Sequence, residues 1–434
     1  MMPNTNDNTI VIAPGRNIRA LIVGGTFDNN GGKQSSVIEL IDSYIYITAP
    51  KWNTECINGG TIDKLKKCLE QTKDADIVFW FANVDNSEEK IRNVKEINPR
   101  CMLITSKRND FVNPEDKNPK RKYDFEDLLQ RALATKANLC FEFTKMGDKL
   151  FNIRVFDPLG CIWYDGTDIM NAVRQTVMRL YDLKSVTRRQ SVHQDGNPDI
   201  TFNETDKKFL SFVRESAKTF HELMCLPKDV KRFVGNASLR FKTPTRCMNG
   251  FPAIRKDDMI LMSRRNVDKT GIDEDDFVPC YLEDNGNVAY FGDNKPSVDS
   301  PVQLRLFEEF PSIDYILHGH CYIKNALMTT SPVPCGAIEE IDEIMKVAKH
   351  RCKASGETMQ DIKNFVLNLK GHGCLIMSSA DELDNTINEL RTSHQFTARQ
   401  IPEDMSATTG NNSMEPHIFL CYTDKHQPPK LFKL

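Results

Sequence analysis

Short apolar runs alternate with helical spacing through the first 183 residues. Ile18-Arg19-Ala20-Leu21-Ile22-Val23 ends at Gly24-Gly25 and reads as a buried strand. A polar Gly/Asn loop leads through Gly31-Gly32-Lys33 to a helical stretch at Val37-Ile38-Glu39-Leu40-Ile41, and Tyr44-Ile45-Tyr46-Ile47-Thr48 reads as a second strand. Helical spacing over 62–71, 88–96 and 123–135 separates strand runs at 75–81, 101–105 and 139–143. Phe151-Asn152-Ile153-Arg154-Val155-Phe156 follows, then Asp157-Pro158-Leu159-Gly160 as a turn and 168–183 as a helix. This alternation predicts an open α/β layer with a mainly parallel, Rossmann-like sheet. Residues 185–204 are polar and carry Arg188-Arg189, Asp195-Gly196 and Asn197-Pro198, the composition of a linker, and 209–226 is an amphipathic helix opening a second unit. The expected division is 1–190, 205–395 and a C-terminal extension, 396–434.

Composition narrows the class. Of 434 residues 40% are hydrophobic and 27% charged, which excludes a wholly disordered chain or a collagen. No run approaches the length of a transmembrane helix, and residues 1–20 lack the apolar core of a secretory signal. A net charge of −3 argues against a bulk nucleic-acid binder. The 13 cysteines are odd in number, irregularly spaced and without a CxxC, as expected of reduced thiols in a cytoplasmic protein.

The loop after the first strand invites comparison with nucleotide-binding motifs. Gly32-Lys33 is followed by Gln34, and Phe27 stands where the first glycine of a P-loop belongs; GxGxxG is absent as well. A glycine-rich turn remains, equally suited to a tight connection or to contacting a phosphate through backbone N–H groups. Lys107-Arg108 after the fourth strand would lie on the same sheet edge.

The most informative segment is Ile313-Asp314-Tyr315-Ile316-Leu317-His318-Gly319-His320-Cys321. In a strand, positions i and i+2 point to one face, so His318 and His320 can share a ligand. His372 stands between Gly371 and Gly373 before the apolar run Cys374–Met377. Three neutral imidazoles with one open position make a Lewis-acid site. His350, His394, His417 and His426 have no such context.

With these surroundings the sequence resembles the class II aldolase/adducin family over roughly 205–395. The resemblance rests on Gly235-Asn236-Ala237-Ser238-Leu239-Arg240, Pro296-Ser297-Val298-Asp299, His318-Gly319-His320, Val333-Pro334-Cys335 and His372-Gly373, in the family's order. It implies an α/β/α sandwich on a mainly antiparallel sheet, a tetramer with sites at subunit interfaces, and zinc or another divalent metal on His318, His320 and His372. Asp299 matches an acidic position that is Glu in L-fuculose-1-phosphate aldolase and Asp in L-ribulose-5-phosphate 4-epimerase. Read on its own, Asp299 precedes Ser300-Pro301, where Ser300 suits a helix N-cap with Pro at the first helical position. Asp299 is then either aimed at the metal or a second capping carboxylate. Asn236, Ser297 and Ser263 would face an anionic substrate, of the sugar-phosphate type.

The chain also departs from the family. Ser263-Arg264-Arg265 replaces the usual Thr-Gly or Ser-Gly of the second phosphate loop. Only thirteen residues separate His320 from Pro334, too few for the loop that carries the fuculose-phosphate enzyme's proton-donating tyrosine. The segment after Cys335 is acidic, Glu339-Glu340, and Tyr422 is either a donor from a neighbouring subunit or, as the commoner case, a core tyrosine. The resemblance therefore implies an aldolase-type lyase acting through a metal-stabilised enediolate. An epimerase, a dehydratase of the methylthioribulose-phosphate type, or a non-catalytic adducin-like module are the alternatives.

Overall fold

The computed structural model describes residues 18–32, 36–84, 87–109, 123–146, 151–186, 191–196, 198, 200–224, 235–241, 259–333, 335–392 and 396–397. The first sheet is built from β1 (Ile18–Phe27), α1 (Ser36–Thr48), β2 (Trp52–Gly60), α2 (Ile62–Gln71), β3 (Ile77–Asn83), α3 (Ser87–Ile97), β4 (Met102–Arg108), α4 (Phe125–Ala134), β5 (Leu139–Lys145), β6 (Phe151–Phe156), β7 (Ile162–Gly166) and α5 (Ile169–Val186). Its strand order is β2-β1-β3-β4-β5-β6-β7. The pairs through β5 are parallel, and β6 and β7 are added antiparallel. Both faces are covered, so β1 is apolar at successive positions. Ala20 and Ile22 pack with α1 and α5, and Leu21 and Val23 pack with α2 and α3.

Three local expectations are corrected. Tyr44–Thr48 is the end of α1, not a strand. Ile38, Ile41 and Ile45 recur at helical spacing and are fully buried, whereas Tyr46 and Ile47 face solvent, so burial periodicity overrides the β-propensity of the run. The second strand is instead β2, a largely polar edge strand. Lys107 and Arg108 end β4 rather than forming a loop, with Lys107 over the Tyr123 ring. The stretch 185–204 is not linker throughout: α5 runs to Val186, and β8 (Ser191–Gln194) pairs parallel with the second sheet.

That sheet takes α6 (Glu204–Met224), β9 (Asn236–Arg240), β10 (Met259–Ser263), β11 (Phe277–Leu282), β12 (Val288–Phe291), α7 (Ser300–Glu309), β13 (Tyr315–Gly319), β14 (Tyr322–Ile323), β15 (Leu327–Met328), α8 (Glu340–Ser355), β16 (Asn364–Leu369), β17 (Gly373–Ser378) and α9 (Leu383–Thr392). The order is β15-β16-β17-β13-β9-β10-β11-β12-β8, antiparallel from β16 to β12 and parallel at both edges. β14 pairs separately with β18 (Phe396–Thr397). Helices α7 and α8 cover one face and α6 and α9 the other, giving three layers. Alternation along β13 sends Tyr315 and Leu317 toward α6, and Ile316 toward α7 and α8. His318 therefore shares the α7/α8 face with Ile316. The register opposes Asn236 to His318 and Ser238 to Ile316, so one polar strip on β9 and β13 lies beneath the start of α7.

Candidate metal centre

The three histidines converge. Ring centroids are 5.0 Å apart for His318 and His320, 4.4 Å for His318 and His372, and 5.3 Å for His320 and His372. One donor atom from each lies within 4.8 Å of the others. A carbonyl only accepts, so the 2.9 Å contact from His318 Nδ1 to the Cys374 oxygen fixes Nδ1 as the protonated nitrogen and leaves a lone pair on Nε2. His372 Nδ1 is likewise 2.7 Å from Glu340 Oε1. Nε2 of His318 and Nε2 of His372 are both buried with no hydrogen-bond partner. Buried nitrogens are rarely left so, and the arrangement fits a cation held from one side. Burial, with help from His372, pushes His318 down to about 3, so its imidazole stays neutral as a ligand must be. Burial also lowers His372, but Glu340 and Cys335 together outweigh it and hold His372 up.

Asp299 occupies the N-cap position of α7, which the sequence assigned to Ser300, and its side chain makes no cap hydrogen bond. Its carboxylate accepts instead from Asn236 Nδ2 at 2.5 Å and from Cys335 Sγ at 3.2 Å. Behind it, the Ser238 hydroxyl donates to Gln303 Oε1, and Gln303 Nε2 donates to Asn236 Oδ1. This relay turns the Asn236 amide toward Asp299. Asp299, Cys335 and His372 form a second donor group within 4.8 Å, sharing His372 with the first. A pocket of about 10 Å³, room for roughly one water, lies among Asp299, Gln303, His318, Glu340 and His372.

The other expected site residues are placed close by. Ser263 is fully buried: its Oγ accepts from Ala237 N at 3.1 Å and its carbonyl from Ser297 N at 3.1 Å. Ser297 is half-buried, its Oγ 3.5 Å from Asp299 N. Arg264 is held by Asp276 at 2.6 Å. Arg265 is exposed, donates to the Pro296 carbonyl, and its charge acts on Asp299. Tyr422 and Pro334 lie outside the described residues.

Sequence reading missed four contributors. Glu340 lay in a segment noted only as acidic, and Gln303 sits one helical turn after Asp299. Ser238 was inside the quoted motif without a role. Lys269 is buried, its amine donating to the Val267 carbonyl at 3.2 Å, and its charge reaches both His318 and Asp299. Burial pushes its amine down to about 8.

Two other places carry less. A cavity of about 200 Å³ borders Asp206, Leu239, Arg240 and Leu261, but its charged groups are engaged. Asp206 accepts from Tyr315 Oη, and Arg240 donates to the Phe307, Phe310 and Ile313 carbonyls. In the glycine-rich loop of the first sheet, a Cβ at Gly24 would strike Ile38, and one at Gly32 would strike the Thr26 carbonyl. Packing alone accounts for these glycines; Lys33 lies outside the described residues.

Residues 215–380 match the family model of the Class II Aldolase and Adducin N-terminal domain. The matched segment supplies most of the second sheet, from β9 to β17, with α7 and α8. No curated protein sequence matches the chain. Among solved structures, the DNA/pantothenate metabolism flavoprotein from Streptococcus pneumoniae is similar over 38% of this chain and 99% of its own, with 12% identity and a TM-score of 0.29. Likeness at that level says nothing of a shared ligand or activity. Among the described residues no helix is long and apolar enough to cross a membrane.

Proposed function

We propose that the protein is a metal-dependent lyase of the aldolase type, with His318, His320 and His372 holding one divalent ion, zinc in the first instance. The observation that carries this reading is the pair of buried, unpartnered Nε2 atoms on His318 and His372, with both Nδ1 atoms already committed elsewhere. A divalent ion at that point supplies Lewis-acid polarisation of a substrate oxygen. Asp299 then moves the proton: its carboxylate is buried, oriented by Asn236 and beside the imidazoles. Ser297 and Arg265 flank Asp299 and suit an anionic hydroxy-carbonyl substrate of the sugar-phosphate type. Asn236 serves Asp299 in this reading, rather than the substrate phosphate. A small-molecule substrate and assembly as a homo-oligomer are expected from the family match over 215–380. An epimerase or dehydratase would use the same groups; an adducin-like binding role would not need three intact imidazoles.

Elemental analysis of the full chain purified without chelator tests the metal. We expect about one divalent ion per chain in wild type and most of it lost in His320→Ala, since even neighbours of ligands alter affinity about 10–100-fold. Equal absence of metal from both proteins would contradict the proposal. A panel of sugar phosphates, assayed for aldehyde release, then separates cleavage from epimerisation or dehydration.

A further inference from the structure

The third histidine sits in a turn that the first sheet's layer packs against. Gly371, next to His372, has φ +72°, and a Cβ there would lie 3.0 Å from Cys161 Cβ and 3.1 Å from Pro332 Cβ. The backbone carrying His372 is thus seated directly on Cys161. Cys161 closes the turn Asp157–Cys161 between β6 and β7, and Asp157 builds that turn. Its Oδ1 accepts from Leu159 N at 3.0 Å and Cys161 N at 3.2 Å, and its Oδ2 from Trp163 Nε1 at 3.1 Å. Arg179 of α5 completes the arrangement. It is 5% exposed, pairs with Asp157 at 3.5 Å, and lies over the Trp163 ring at 4.0 Å. Its Nε and Nη1 are buried without a partner.

A buried guanidinium with two unpartnered nitrogens is costly, and an apolar residue would pack there at less cost. Its surroundings argue against an anion as the missing partner, because the charges it acts on are the carboxylates of Asp157, Asp182 and Glu340. Glu340 is the residue that holds His372 Nδ1. Arg179 therefore meets His372 by two routes: mechanically, through Asp157, Cys161 and Gly371, and electrostatically, through Glu340.

We propose that Arg179 is a positioning residue for the metal centre, so that the layer built on the first sheet sets the placement of His372. This rests on the reading that His318, His320 and His372 hold a metal. It gives the otherwise unexplained N-terminal part of the chain a definite task toward the site.

The test compares zinc affinity, by competition with a chromophoric chelator, and the visible absorption of the cobalt-loaded full chain, in wild type, Arg179→Met, Arg179→Lys and Arg154→Met. Arg154 pairs with Glu142 and Asp165 elsewhere on the same sheet and serves as the control for general damage to this layer. Arg179→Met should weaken zinc about 10–100-fold, the usual effect of removing a group behind a ligand, and alter the cobalt spectrum. Arg179→Lys should recover part of the loss, and Arg154→Met should bind as wild type does. Should Arg179→Met fail to fold, Asp157→Asn reads the same link, since it keeps the side chain's shape while removing the charge that holds Arg179. Zinc affinity within threefold of wild type and an unchanged cobalt spectrum in these variants would overturn the positioning role alone. A wild-type chain that takes up neither zinc nor cobalt would overturn the metal reading beneath it.

Discussion

In the proposed reaction, Asp299 is the side chain on which proton transfer turns. Asp at a helix start is ordinarily a cap, and Asn caps about as well. Here the carboxylate bonds to Asn236 and Cys335 and leaves the α7 amides alone. Asp299→Asn should therefore keep the fold and most of the metal, since the three imidazoles remain. Turnover should fall by about 10²–10⁴-fold, the usual worth of acid–base catalysis. Unchanged turnover with unchanged metal content would remove the catalytic role; loss of the metal would instead make Asp299 a fourth ligand. Lys269 makes a second residue-scale prediction, in stability. Its amine titrates ordinarily at 10.5 and is pushed to about 8 by burial. Between those values the unfolded chain binds more protons than the folded one, so stability should rise as pH increases from about 8 to 10.5. Chemical denaturation across that range checks this; Lys269→Met should flatten the rise, and an equal slope in both proteins would contradict it.

At the scale of elements, α1 shows what decides a local structure. Tyr44–Thr48 has strand composition, yet the positions that need burial are Ile38, Ile41 and Ile45, one helical face. Ile41→Ala should cost about 2–5 kcal/mol in denaturant unfolding, whereas Ile47→Ala should stay within about 0.5 kcal/mol. A strand reading inverts nothing at Ile41 but would bury Ile45 and Ile47 together, so a large loss at Ile47 would contradict the helix. The same contrast explains what was legible from sequence. Strands buried on both faces, such as β1, β3 and β13, announce themselves as continuous apolar runs. The edge strand β2 does not, because Asn53, Thr54, Glu55 and Cys56 include no large apolar side chain and its burial is intermittent. The three histidines were legible because an i, i+2 pair closes an apolar strand and glycines flank the third. Glu340, Gln303 and Ser238 were not. Their roles depend on which helix starts against which strand, and neither period nor motif encodes that.

For the whole molecule, the candidate metal centre draws on widely separated pieces: β9, the start of α7, the end of β13, the start of α8 and the turn before β17. Cys335 stands near enough to be a donor, but its thiol already donates to Asp299. The proposed ion is therefore held by imidazoles rather than by sulfur. X-ray absorption at the zinc K edge of the full chain carrying one equivalent of zinc tests this directly. The predicted result is a shell of nitrogen and oxygen only, at about 2.0–2.1 Å with imidazole scattering beyond it. A sulfur shell near about 2.3 Å, or a shell without imidazole, would contradict it.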